Sequence, residues 1–276
     1  MSNFLLRTVS GIVFLALMVA GMLFYPLAFA ALFFVVMYMC LREFLTISLG
    51  ERWLLQQKLA LLTASTVYIL SCAIAFYSID VRWLAVAVIP LIALSASIVL
   101  AGNHDTVEDT AMMYLGILYT TLPFALAPFM VVSGNEFRGY VMLVVFIIIW
   151  ASDVGAYCVG TLLGQKPDSR KLAPSISPKK SWWGFWGGVV LAAGVAVILH
   201  FVKWMDFPLV HCIILGVLIS VSCVLGDLFE SVWKRRYGVK DSGRCIPGHG
   251  GMLDRFDSSL FAIPTAFAYM MLFGLL

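Results

Sequence analysis

Asp227, Glu230, Ser231 and Lys234 stand at i, i+3, i+4 and i+7 in the run VSCVLGDLFESVWKRRYG. A helix continuing through them carries all four on one face. Two carboxylates then share a surface directly after a long apolar run, where a charge is costly and marks a site by default. Glu230 and Lys234 also read as an ordinary i,i+4 pair worth about 0.2–0.5 kcal/mol. Asp254 and Asp257 repeat the i, i+3 spacing at the start of the last apolar segment. Capping and the helix dipole explain one acid at such a place more readily than two. Hard oxygen donors of this kind suit Mg²⁺, which takes one or two carboxylates and completes its shell with water and substrate phosphate. Zinc fits poorly, because His249 and Cys245 lack the paired spacing of zinc ligands.

Between the acidic pairs, residues 238–251 carry five glycines and Pro247. Such a segment brings backbone close to a ligand, and its successive N–H groups suit an anion. Lys234, Arg235, Lys240, Arg244 and Arg255 add charge suited to phosphate oxygens. A basic cluster beside a membrane helix is also the usual topological anchor, but an anchor needs neither the glycines nor the acids. A second loop, GTLLGQKPDSRKLAPSISPKKSWWGFWGG, repeats the theme with Lys179, Lys180 and Ser181 ahead of Gly184, Gly187 and Gly188. Its tryptophans suit the aromatic belt of a membrane interface better than base stacking. Asp153, late in an apolar span, is a further candidate; pairing with a basic residue of a neighbouring helix is the alternative. Neither a Walker A pattern nor G-x-G-x-x-G occurs.

The elements that must position these residues are membrane helices. The chain is 62% hydrophobic and 12% charged, too little charge to cover a soluble surface. Runs of apolar residues predict an all-α polytopic membrane protein with about nine spans, near 9–25, 27–41, 60–77, 83–101, 111–132, 139–158, 185–203, 207–227 and 257–275. The first two form one long run, and their division rests on Pro26, which either starts a helix or kinks one. No A-x-A-like cleavage site follows that run, so it reads as retained. With the N-terminus cytoplasmic, only Arg82, Arg138 and Lys203 of the 18 basic residues fall outside the cytoplasmic face. The positive-inside rule therefore turns the polar site toward the cytoplasm. The six cysteines form no C-x-x-C pair and read as small apolar fillers. Residues 1–276 read as a single helical membrane domain, with helices of scaffold character over 1–140. The catalytic helices and two cytoplasmic loops, 159–184 and 231–256, fall within 141–276.

The run S-x-x-K-R, K-D-S-G and P-G-H-G-G-x-x-D-R-x-D over residues 231–257 resembles the signature of the phosphatidate cytidylyltransferase family, also called CDP-diacylglycerol synthases. Gly226, Asp227, Leu228, Glu230 and Ser231 are similar to that family's G-D-L-x-E-S. Asp153 to Tyr157 and Ser177 to Phe185 match its upstream pieces. The close matches cover about residues 146–258, and the N-terminal spans match only in kind. Ser181 stands where the family usually has Thr, Trp183 where it often has Glu or Gln, and residues 165–176 run longer.

The resemblance implies a Mg²⁺-dependent enzyme, with room for a second cation, of phospholipid biosynthesis in a bacterial cytoplasmic membrane. Its substrates would be CTP and phosphatidic acid within the membrane lipids, giving CDP-diacylglycerol and pyrophosphate. A homodimer is compatible with it, and nucleic acid is not an expected partner. By matching position, Asp227 and Asp254 are the leading metal ligands, supported by Asp257 and Glu230. Lys234, Arg235, Lys240 and Arg255 are phosphate contacts. His249, Gly250 and Gly251 shape the polyphosphate segment, and Asp153, Lys180 and Ser181 are further substrate contacts. Three alternatives stay open. A transporter would spread its acids across the bilayer midplane. An enzyme using CDP-alcohols would carry D-G-x-x-A-R, which is absent. A relative acting on another lipid phosphate would share every feature above.

Overall fold

A computed structural model of the protein describes residues 3–101, 107–134, 136–166, 168–245 and 250–276, with residues 3–7 described by their backbone alone. Nine α-helices run through the described residues. They are α1 Asn3–Leu23, α2 Pro26–Leu49, α3 Leu54–Tyr77, α4 Val88–Leu100, α5 Val107–Met130, α6 Tyr140–Leu162, α7 Trp182–Phe201, α8 Leu209–Arg236 and α9 Leu253–Leu272. Pro26 starts a helix: it occupies the first turn of α2 after an extended Tyr25, where a missing N–H costs nothing. At the other end Gly50, at φ 61°, closes α2 by donating its N–H to the Thr46 carbonyl.

Each apolar segment falls on a helix, but by length and composition seven helical stretches are able to cross a membrane. These are α2, α3, α5, α6, α7, α8 and Val81–Leu100, which joins a 3₁₀ segment, Val81–Ala87, to α4. Among the described residues, seven of the about nine expected spans meet that criterion. Thr8–Leu23 of α1 is a shorter apolar helix. In α9 the charges of Asp254, Arg255 and Asp257 fall inside the helix and dilute its first turns.

The chain forms two compact units, Met1–Gly139 with Asp241–Phe256, and Tyr140–Lys240 with Asp257–Leu276. In the first unit α2 supplies the core, with Phe29, Phe33, Met37, Leu41, Phe44 and Leu45 buried. Phe29, Phe76 and Phe137 form edge-on ring contacts at 6.0–6.1 Å, the geometry aromatic quadrupoles prefer. The Tyr68 hydroxyl donates to the Ala30 carbonyl at 3.0 Å and so ties α3 to α2. A two-stranded ribbon, β1 Val132–Ser133 with β2 Glu136–Phe137, ends the unit's continuous part.

In the second unit α7 packs against both α6 and α8, and α6 against α8. Between lipid-solvated helices, close approach of small residues substitutes for a hydrophobic driving force. A side chain on Gly188 would bring its Cβ within 2.9 Å of the Ser152 carbonyl of α6. One on Gly187 would meet the Gly155 carbonyl at 2.8 Å. These glycines, which follow the Lys179, Lys180 and Ser181 run read from the sequence as meeting phosphate, seat α7 on α6. The loop expected over 159–184 is also more ordered than a loop: β3 Lys171–Ala173 and β4 Ser177–Ser181 pair antiparallel and lead directly into α7.

Candidate active site

Three elements of the second unit deliver charge to one cavity. Helix α6 carries Asp153, α8 carries Asp227, and β4 ends on Lys179, Lys180 and Ser181. The cavity measures about 590 Å³, within the range of small-molecule sites, and these five residues with Gln165 supply most of its polar lining. Helix α8 runs unbroken past the apolar segment to Arg236, so Asp227, Glu230 and Lys234 do share a continuous helix as their spacing predicted.

Lys180 forms an ion pair with the Asp227 carboxylate, the Lys180 side chain being 26% and that of Asp227 37% exposed. Ser231 donates its hydroxyl to Asp227 Oδ1 at 3.3 Å. Asp153 lies within electrostatic reach of both Asp227 and Lys180, and Asp257 within reach of Asp153, Asp227 and Lys234. One residue before Asp153, the Ser152 hydroxyl shares a buried hydrogen bond of 2.7 Å with Ser220 of α8, fixing α6 to α8 beside the acids. Gly226, next to Asp227, lets α9 approach: a Cβ there would stand 3.3 Å from the Ser258 Cα.

The strand that carries Lys180 is held from several sides. Gln165 Nε2 donates to the Lys179 carbonyl at 2.9 Å, and Lys171 Nζ reaches the Gly164 carbonyl at 2.8 Å and Gln165 Oε1 at 3.2 Å. The strand is thereby tied to the end of α6. Ser181 caps α7, its hydroxyl accepting from the Gly184 N–H at 3.1 Å. Trp182 and Trp183 are exposed.

Glu230 points elsewhere. It is fully buried, and its carboxylate meets Lys234 Nζ at 2.7 Å, with the Lys234 side chain 12% exposed. In that setting the pair is far more consequential than a solvated i,i+4 pair. Arg235 and Lys240 are exposed, and Arg235 Nη1 donates to the Val239 carbonyl at 3.1 Å.

Within the first unit Asp254 opens α9. Its Oδ2 accepts from the N–H groups of Ser242 and Gly251, each at 2.9 Å. Gly250 sits at φ 89°, a left-handed conformation that L side chains adopt only with strain. Arg255 is exposed in the first turn. His249 lies outside the described residues. Glu43 of α2, which sequence reasoning missed, also belongs to this region. Its carboxylate accepts from the Ser242 hydroxyl at 2.7 Å and from the N–H groups of Met252 and Leu253 at 2.9 Å. The one signal in the sequence is an acid flanked by Arg42 and Phe44 at the end of an apolar run.

Among the described residues no group of three or more His, Cys, Asp or Glu side chains is gathered closely enough to cage a metal ion. Asp153 and Asp227 bring two carboxylates to the lining of one cavity, hard oxygen donors of the type that Mg²⁺ takes.

The chain matches the family described as the cytidylyltransferase family over residues 5–273. It is 35% identical over 211 residues to the phosphatidate cytidylyltransferase of Bacillus subtilis, a stretch covering 75% of this chain and 76% of that relative. It is 37% identical over 166 residues to the protein of that name in Staphylococcus saprophyticus, and 41% identical over 168 residues to that of Staphylococcus aureus. Each covers 60% of this chain and 61% of the relative.

Proposed function

The chain belongs to the cytidylyltransferase family, and from that premise we propose that it transfers the cytidylyl group of CTP to phosphatidic acid, giving CDP-diacylglycerol and pyrophosphate. The observation that carries this reading is the cavity in which Asp153 and Asp227 stand with Lys179 and Lys180. Acids and bases side by side suit a ligand that brings both phosphate and a divalent cation.

An oxygen of the lipid phosphate attacks the α-phosphorus of CTP in line. A new phosphoanhydride bond forms while the bond to the β-phosphate oxygen breaks, and pyrophosphate leaves with that electron pair. The attacking phosphate is already ionised near neutral pH, so neither a general base nor a covalent enzyme intermediate is required. The obstacle is charge repulsion between two anions, and positioning with electrostatic stabilisation answers it. Asp227 and Asp153, with Asp257 near them, would hold Mg²⁺; bound there, it supplies positive charge for the transferring and leaving oxygens. Lys180 exchanges its Asp227 partner for a phosphate oxygen, and Lys179 adds charge at the cavity edge. Ser152 and Ser220 hold the two acid-bearing helices in register. For Asp254, in the first unit, the proposal keeps the metal-ligand role that its place in the signature implies. The concentration of Lys and Arg near these elements supports a site facing the cytoplasm in a bacterial cytoplasmic membrane.

The test is a transfer assay with purified protein, labelled CTP, Mg²⁺ and phosphatidic acid. The expected result is a labelled lipid identified as CDP-diacylglycerol, lost when either Mg²⁺ or phosphatidic acid is omitted. Label that stays in the aqueous phase under all conditions overturns the reading.

A further inference from the structure

Glu43 lies on α2, far in sequence from the glycine-rich signature, yet it organises both described flanks of that segment. On one flank the Ser242 hydroxyl donates to its Oε2 at 2.7 Å. On the other, the N–H groups of Met252 and Leu253 donate to Oε1 and Oε2 at 2.9 Å, so the carboxylate caps α9 from outside its own chain segment. Ser242 relays this contact: its N–H donates to Asp254 Oδ2 at 2.9 Å, and its Oγ accepts from the Asp254 N–H at 3.3 Å. Asp254 in turn accepts from the Gly251 N–H. Two carboxylates therefore fasten one flank to the other through a single serine.

The glycines of the signature take a physical reason from this arrangement. A Cβ on Gly243 would stand 2.8 Å from Glu43 Oε1, and one on Gly251 would stand 2.7 Å from the Gly243 nitrogen and closer still to the Glu43 carboxylate. Real Cβ atoms do not approach so closely. Gly243 and Gly251 thus leave room for a hydrogen-bonded network, Glu43 lying beside Gly243 and both Glu43 and Ser242 beside Gly251.

We infer that Glu43 is a positioning residue for nucleotide binding: through Ser242 it fixes the orientation of Asp254 and of the backbone on either side of the glycine-rich segment. This rests on the cytidylyl transfer proposed above. Glu43 touches no reacting atom in this assignment. Glu43→Gln keeps the shape but turns an amide N–H₂ toward donors, so it breaks the network without opening a cavity.

The decisive experiment measures equilibrium binding of labelled CTP, with Mg²⁺ and without lipid, to the purified full chain and to its Glu43→Gln and Ser242→Ala variants. Hydrogen exchange at Met252 and Leu253 and KM for each substrate are read in parallel. The inference expects CTP binding about 10-fold weaker in Glu43→Gln, the size of effect that a lost charge-assisted hydrogen bond produces. It also expects faster exchange at both amides and a KM for phosphatidic acid within about twofold of the parent. Ser242→Ala should show the same pattern more weakly, and the double variant should fall short of the sum. Should Glu43→Gln not fold, Ser242→Ala alone decides by the same readouts. Unchanged CTP binding in the variants, or an equal loss toward both substrates, overturns the assignment. A parent chain that binds no CTP overturns the functional reading instead, so the two failures are distinguishable.

Discussion

In the first unit Glu43 and Asp254 receive hydrogen bonds from the backbone and from Ser242, whereas in the second Asp153 and Asp227 line a cavity and Asp227 meets a lysine side chain. The same functional group serves two ends. Carboxylate oxygens held by backbone N–H groups are fixed in direction, because every donor belongs to a folded segment. A carboxylate held by a lysine can trade partners, because the lysine is a point charge on a flexible stem. Order and exchange are thus assigned to different acids, and Glu230 marks a third case, an acid buried against Lys234.

The largest expected effect separates the first two kinds. Asp227→Asn should lower cytidylyl transfer by about 10³-fold while the unfolding midpoint in detergent stays within about 4 °C of the parent. Asp254→Asn should lose activity together with hydrogen-exchange protection at Ser242 and Gly251. Equal loss of order in both variants would erase the distinction. Next in size, Glu230→Gln should destabilise the fold by about 3 kcal/mol, since it removes the charge of the buried carboxylate that Lys234 Nζ meets. Replacing both, Glu230→Leu with Lys234→Met, should restore most of that stability in a denaturant titration. If this folded double variant binds CTP more weakly, Lys234 also serves phosphate. Lys180→Met should raise KM for CTP about 10-fold and leave KM for phosphatidic acid nearly unchanged, as loss of one charge-assisted contact would. Smallest, Gly187→Ala should cost about 1 kcal/mol by crowding α6 against α7, seen as a lower thermal midpoint with activity per folded molecule retained.

The helices were legible because apolar runs in a membrane protein have few alternatives to helix, and Pro26 announced the break between α1 and α2. The one-face spacing of Asp227, Glu230 and Lys234 was equally readable, since helical periodicity is local. What spacing could not separate was their environments: Asp227 opens on a cavity and Glu230 is sealed, a difference set by which helices pack on either side. The β3 and β4 pairing escaped notice because Lys171 to Ser181 contains Pro174 and Pro178 and no apolar alternation. Gly187 and Gly188 stood in the sequence only as small residues after the Lys179, Lys180 and Ser181 run, and tertiary contact is what shows them seating one helix on another. Glu43 was invisible for the plainest reason, that its partners lie some 200 residues away in the chain.

The β3 and β4 ribbon bears on how this protein tolerates change in chain length. Its register is set where Lys171 opposes Ser181 and Ala173 opposes Ser177, and its far end is locked by the Ser181 cap and by Gln165. Pro174 and Ser175, at the bend between the strands, are exposed and anchor nothing in that lock. Residues inserted or deleted there alter the tip alone, while Lys180 keeps its distance to Asp227. The reach of the lysine is therefore decoupled from the length of the segment that carries it, and a peptide inserted at this bend is expected to leave the cavity as it is.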